Sequence, residues 1–304
     1  MVYLDKIFLE DISQKIFPGN APSEPQKELF LQRFNPNNYS YTNIGIAKHL
    51  EKMHDDPRYV NNVQANIKEI IKKIYRAFED ELIADRITKE QLGLTGKGKQ
   101  GKKKAIEKSP WQIIYDWLWD TKYHRWSENY IWDTWSQEAQ KNSNWMKFRE
   151  LTTEYAARAM NVPVPDPIET LPQDTPLDLE ICLNQAEGYL LLFNRGQNPE
   201  GEVQTKYLVA PSRAYAPKYK LEDNSLKMPQ EDAACSDISF NAAGKEEYLG
   251  ILIDESLDLP WLTTNTEEYA LEWKASHLEE LWNKLHGKNS CQKFYRDFEV
   301  VAAK

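Results

Sequence analysis

Apolar residues recur at steps of three and four from the start of the chain. Leu4, Ile7, Phe8, Ile12 and Ile16 fall on one face of an amphipathic helix that Pro18 and Gly19 end. Ser23 followed by Gln26 has the form of a capping box with Pro25 in the first turn, which predicts a second helix over 24–34. Asn35, Pro36, Asn37 and Asn38 make a turn. A third helix starts near Thr42, carries Ile44, Ala47 and Leu50, and is stopped by Asp55, Asp56 and Pro57. A fourth spans residues 58–81, where Val60, Val63, Ile67, Ile70, Ile71, Ile74 and Phe78 form a stripe with a period of about 3.6.

The run GLTGKGKQGKKKAIEK at 93–108 holds four glycines and six lysines without apolar periodicity, and reads as a linker. Residues 110–160 form a second helical block with seven of the ten tryptophans. Five prolines in VPVPDPIETLPQDTP exclude a helix or a central strand, so the domain boundary is expected at 161–176. Behind it the period falls to two. LDLEICLNQ, GYLLLFNR, VQTKYLVAP, DISFNA and EYLGILID predict short strands of an antiparallel sheet or sandwich. Tyr269 or Ala270, Trp273, Leu278, Leu281, Trp282 and Leu285 then mark a helix packed on the sheet, and FYRDFEVVA adds a final edge strand. The expected fold class is α+β, with an all-α part over 1–92 and 110–160 and a β-rich domain over 177–304.

With 304 residues, 41% of them hydrophobic and 12% aromatic, the chain is long and apolar enough to fold as two ordinary modules. No apolar run approaches a membrane span, and the start alternates charge with apolar groups, unlike a secretory signal. Cys182, Cys235 and Cys291 match no disulfide or zinc spacing, so a reducing cytoplasm is the expected compartment. The net charge of −9 is unevenly placed. Residues 1–110 hold 19 Lys or Arg against 15 Asp or Glu, whereas 111–304 hold 19 against 32. A polyanion is therefore expected to meet the front of the chain.

IGIAKHL, a break, and VNNVQANIKEIIKKIY have the order of a helix-turn-helix, with Ala47 and Leu50 beneath the second helix. Residues 40–80 resemble the small DNA-binding domains of bacterial response regulators and sigma factors, although HDDPRY makes the turn longer than theirs. With the apolar stripe inward, Asn61, Asn62, Ala65, Lys68 and Lys72 face outward and Arg58 lies near the helix start. Asn bridges adenine, Arg bridges guanine and Lys neutralises phosphate, so these six are the candidate duplex-DNA contacts. Gly96, Gly101 and Lys102 satisfy the spacing of a phosphate-binding loop, but Lys103 stands where a Ser or Thr must hold magnesium.

The tryptophans Trp117, Trp119, Trp126, Trp132 and Trp135 do not share one helical face. Some are expected in the core and some on a protein-binding surface. No G-x-S-x-G, H-E-x-x-H, cysteine pair or calcium-loop signature is present, and the five histidines form no triad with the cysteines. No catalytic residue, metal or cofactor is expected. A cysteine–histidine dyad built from Cys182 or Cys235 is the weakest of the alternatives.

Leu190 to Asn194, Pro211, Pro229, Gly244, Glu246 or Glu247, and Leu259 to Leu262 follow one another over about residues 177–262. This order resembles a bacterial domain of unknown function that accompanies protein kinases and caspase-like CHAT proteases. The resemblance implies a regulatory or recognition module without established catalytic residues. The expectation is a non-enzymatic regulator that couples a helix-turn-helix to a β-rich sensing or adaptor domain. The alternative is a protein-interaction adaptor, or a substrate, of a caspase-like protease or NTPase signalling or defence system; the expected protein partner is a caspase-like protease, kinase or NTPase.

Overall fold

The structure, a computed structural model, describes residues 3–19, 24–95, 108–141, 143–151, 166–183, 187–221, 224–263, 268–286 and 291–302. Ser23 of the expected capping box, most of the lysine-rich linker, and residues 152–165 lie outside them. The architecture is α+β, helices first and sheets behind. Two compact units divide the chain at 127/128, within the tryptophan-rich block and ahead of the proline run.

The first unit holds α1 (Tyr3–Ile16), α2 (Glu24–Arg33), α3 (Asn43–His54), α4 (Val63–Ala77), α5 (Glu79–Ala84) and α6 (Pro110–Asp116). A π-helical segment, Trp117–Lys122, follows and leads into α7 (Tyr123–Glu138), which continues into the second unit. The expected stripes are core: Leu4, Phe8, Ile12 and Ile16 of α1, Ala47 and Leu50 of α3, and Val63, Ile67, Ile70, Ile71 and Ile74 of α4 are buried. Ile44 is an exception, exposed on the surface of α3.

The single helix expected over 58–81 is three pieces. The Asp56 side chain accepts from the Arg58 amide and caps a 3₁₀ turn at Pro57–Tyr59. Asn62 then adopts a left-handed backbone (φ 57°) that no regular helix contains, so α4 begins only at Val63. Phe78 separates α4 from α5. α3 has a built start, where Thr42 Oγ1 accepts from the Gly45 amide at 3.0 Å, and a left-handed Asp55 (φ 50°) at its end.

Arg33 holds the loop between α2 and α3. Its guanidinium is fully buried and donates to the carbonyls of Asn38 (2.9 Å), Tyr39 (3.0 Å) and Tyr41 (2.5 Å). It also lies 3.8 Å over the Trp111 ring. One fork-shaped cation thus satisfies three loop carbonyls.

The second unit is a sandwich of two sheets. One has the order β1-β3-β7, from Met146–Glu150, Leu177–Cys182 and Ser225–Met228. The other has the order β2-β9-β8-β4-β5, from Thr170–Pro172, Cys291–Val301, Gly244–Ile253, Gly188–Gln197 and Val203–Ala210, with β6 (Lys220–Leu221) also on β4. All pairs are antiparallel except β2 with β9. Phe148 of β1 meets Tyr248 of β8 and Phe298 of β9 at 5.7 and 5.1 Å, and Leu179, Ile181, Met228, Leu190, Leu192 and Leu252 complete the core between the sheets.

Four expectations are corrected. The block at 110–160 is not all helical, because Met146–Glu150 is a strand paired with Leu177–Cys182 across the prolines. The run at 161–176 is therefore no domain boundary; its Thr170–Pro172 is itself a short parallel edge strand, where proline costs little. The tail strand β9 is penultimate and lies between β2 and β8, and DISFNA makes only a single bridge at Ile238.

On the sheet face opposite the core, Trp132 of α7 stacks on Trp273 at 5.3 Å with 9° between the rings. Trp273 meets the Phe193 ring at 6.3 Å and donates Nε1–H to the Asn194 carbonyl at 3.0 Å. The expected C-terminal helix starts only at Ala275, so Tyr269, Ala270 and Trp273 precede it; α8 (Ala275–Leu285) buries Leu278, Leu281, Trp282 and Leu285, and Trp282 stacks on Trp135 at 5.7 Å.

Candidate functional site

Strand pairing decides which polar side chains reach the core side of the large sheet. Successive residues of a strand point to opposite faces. The register Asn194↔Tyr248↔Arg296 puts Leu190, Leu192 and Asn194 on one face with Leu252, Tyr248 and Glu246. Arg195, Glu247 and Tyr295 therefore lie on the other. Where the hydrophobic parts of β4 and β8 end, the core side opens into a cavity of about 380 Å³, within the range of small-ligand sites.

Asn194 and Gly196 of β4, Glu246 and Tyr248 of β8, and Thr205 and Tyr207 of β5 form its floor and one wall. Tyr215 and the loop from Ile238 to Ala243 form the other. Asn194 Nδ2 donates to Glu246 Oε2 at 2.6 Å. Burial pushes the Glu246 carboxyl above its ordinary value; the Asn194 hydrogen bond opposes that shift, and the neighbouring Glu247 charge adds to it. Burial likewise pushes Tyr248 well up, so its hydroxyl stays protonated.

Gly196 makes room for this arrangement. A Cβ at that position would stand 2.8 and 3.1 Å from the two Glu246 carboxylate oxygens and against the Thr205 hydroxyl. A glycine therefore leaves room over the strand for both a carboxylate and a hydroxyl. Gly250 serves the same face at the opposite end, where the Trp145 ring lies 3.1 Å from the position of a Cβ.

The adjacent glutamate has a different environment. Glu247 Oε2 accepts from Arg195 Nε (2.7 Å) and Gln197 Nε2 (2.6 Å), and Oε1 accepts from the Tyr295 hydroxyl (2.6 Å). Arg195 lies 4.5 Å over the Trp132 ring, and Lys245 bridges Glu247 to Asp297. Every strong acceptor here is engaged, which makes Glu247 a structural anchor of three strands. Glu246 has a carboxamide as its only described hydrogen-bond donor and a cavity in front of it.

The sequence-predicted DNA contacts are only partly assembled. Asn61, Asn62, Ala65 and Lys68 are exposed. Arg58 is folded back on Asp56 with contacts of 2.6 to 3.0 Å, which hold Asp56 below the usual carboxylate range, and Lys72 pairs with Glu69 at 3.4 Å. The left-handed backbone of Asn62 gives that residue a conformational reason to be Asn. Eight residues separate α3 from α4, longer than the tight turn of a helix-turn-helix.

Among the tryptophans, Trp117, Trp132 and Trp135 are core side chains and present no surface to a partner. Trp117 Nε1 donates to Asp85 at 2.8 Å; hydrogen bonds from Arg125, and then this one, hold Asp85 below its ordinary range. Trp119 and Trp126 are half-buried, each 5.3 Å from the Phe8 ring, with Trp119 Nε1 on the Phe34 carbonyl. His54, His277 and His286 stack on Tyr59, Trp261 and Trp282, not on a cysteine. Among the described residues no three His, Cys, Asp or Glu side chains gather as a metal site, and no helix is long and apolar enough to cross a membrane.

The cavity residues were missed by sequence reasoning. LLLFNRGQ and GKEEYLGILI hold them in plain view, but β4 is buried on both faces, so its polar residues show no alternation that assigns a face. Compared with known proteins, the chain matches no family model and no curated protein.

Proposed function

We propose that residues 128–304 are the ligand-sensing module of a non-enzymatic regulator. The observation that supports this reading most is the cavity at the end of the large sheet. It combines one half-buried carboxyl, several carboxamides and hydroxyls, and aromatic walls. Such a surface orients a small polar molecule by hydrogen bonds while the apolar wall supplies contact area. The described residues that line it include no histidine and no cysteine.

In this reading the protein works in the cytoplasm, and occupancy of the cavity is relayed to a caspase-like protease, kinase or NTPase, as the resemblance of the β-rich half implies. The test is a thermal-shift screen of the full chain against small polar molecules grouped by charge. A ligand present at 100 times its Kd stabilises the folded state by about 2.7 kcal/mol, a clear rise in Tm. The rise is expected to disappear in Asn194→Leu. If no class of molecule raises the Tm, the sensing module is wrong.

A second reading, duplex-DNA binding through α4, is favoured by one observation. Asn61, Asn62, Ala65 and Lys68 are exposed together where α4 begins.

A further inference from the structure

We infer that the cavity takes an organic cation, an ammonium or guanidinium head on a short body, with Glu246 as its counter-charge. The inference rests on the ligand-sensing reading and adds the class of ligand. Three independent features carry it.

The first is the charge of the lining. Glu246 is the only Asp, Glu, Lys, Arg or His among the described residues that line the cavity. An anion would meet a carboxylate there and no cation, whereas a cation would supply the opposite charge that this half-buried carboxylate otherwise lacks.

The second is the direction of the hydrogen-bonding groups. Asn194 uses its Nδ2–H on Glu246, which leaves Oδ1 as an acceptor, and an ionised Glu246 is acceptor-only. The floor therefore presents acceptors side by side, the complement of a head group made entirely of N–H donors. Tyr207, Tyr215, Phe240 and Tyr248 add aromatic rings, whose faces attract cations.

The third is the field of the surrounding chain. Residues 128–304 hold 17 Lys or Arg against 30 Asp or Glu, a net −13 that favours the approach of cations over anions to this part of the chain. The groups facing Glu246 do not cancel this. From β5 come Thr205 and Tyr207, from the chain beyond it Tyr215, and from β8 Tyr248, with Glu247 behind the strand. Arg296 of β9, pairing with Tyr248 on the same face, is committed to the Met146 carbonyl and to Glu169 at 2.6 Å.

The head group arrives either on a free amine or as a basic side chain of a peptide, and the two sources are separated by choice of probe. Calorimetric titration of the full chain would use agmatine for the first and a doubly capped Ala-Arg-Ala peptide for the second. The capped Ala-citrulline-Ala peptide, a hexose and succinate serve as neutral and anionic controls. At least one cationic probe is expected to bind tenfold or more tightly than the citrulline peptide, and Glu246→Gln is expected to lose at least tenfold of that affinity. Binding to the wild type is also expected to weaken as the pH falls through the raised titration of Glu246, a readout that needs no variant to fold.

A hexose or citrulline peptide that binds as well as the cations, with no effect of Glu246→Gln or of pH, would overturn the cation and keep the sensing cavity. Silence of every probe, in a chain that the thermal-shift screen also finds unresponsive, would overturn both.

Discussion

Arg33 shows how much one side chain decides in the first unit. Its Nη atoms serve three carbonyls, those of Tyr39 and Tyr41 with no other donor among the described residues, and burial pushes its guanidinium pKa down against the pull of Tyr115 and Tyr39. Leaving buried carbonyls unpaired costs about 1–3 kcal/mol each, less where water reaches them. Arg33→Met is therefore expected to lose about 3 kcal/mol, read as a lower urea midpoint at unchanged slope. Arg33→Lys should recover little, because an ammonium cannot span three acceptors as a planar fork does. An Arg33→Lys midpoint equal to that of the wild type would show that charge alone matters at this position. The sequence gives no hint of this role, since an arginine between Gln32 and Phe34 reads as a solvated helix end. Glu246 was equally hidden: the two adjacent glutamates look equivalent until the pairing of Asn194 with Tyr248 assigns each a face.

At the scale of elements, local signals that act within one turn were the most legible. The stops at Pro18 and Gly19, the α3 cap and the inward stripe of α4 all follow from nearest-neighbour geometry. Thr42→Ala is expected to cost about 1 kcal/mol, with Thr42→Ser near neutral, because only the cap to the Gly45 amide is lost. Thermal denaturation of the two variants checks this; equal Tm values would mean that packing, not the cap, fixes where α3 starts. Illegible were the elements whose partners lie far away. Met146–Glu150 follows directly on a helical pattern and becomes a strand only because Leu177–Cys182 is there to pair with it. The break at Asn62 was hidden by the continuity of the apolar stripe, which a left-handed residue interrupts without altering its spacing.

For the whole molecule, the charge split bears on the DNA reading. Residues 1–127 hold 21 Lys or Arg against 17 Asp or Glu, a surplus of four, while the remainder is strongly acidic. With Arg58 and Lys72 already paired to Asp56 and Glu69, few cations on the α4 face remain to displace counterions. If α4 binds duplex DNA, its affinity should fall with salt at a shallow slope, and Lys68→Ala should reduce that slope by about one. Mobility shifts at several ionic strengths measure it. Binding that is absent, or indifferent to salt and to Lys68→Ala, would remove DNA from the account.

Because Glu246 and Glu247 are consecutive on one strand, β8 tolerates no change of phase. A single-residue insertion or deletion upstream in β8 that slid this pair by one position would exchange the two carboxylates. It would turn the Arg195-bound acid toward the core side of the sheet and Glu246 to the opposite face. Natural relatives of this chain should therefore vary in length in their loops while keeping the number of residues from Glu246 to Ile253 unchanged, a spacing that can be counted in any new sequence without a structure.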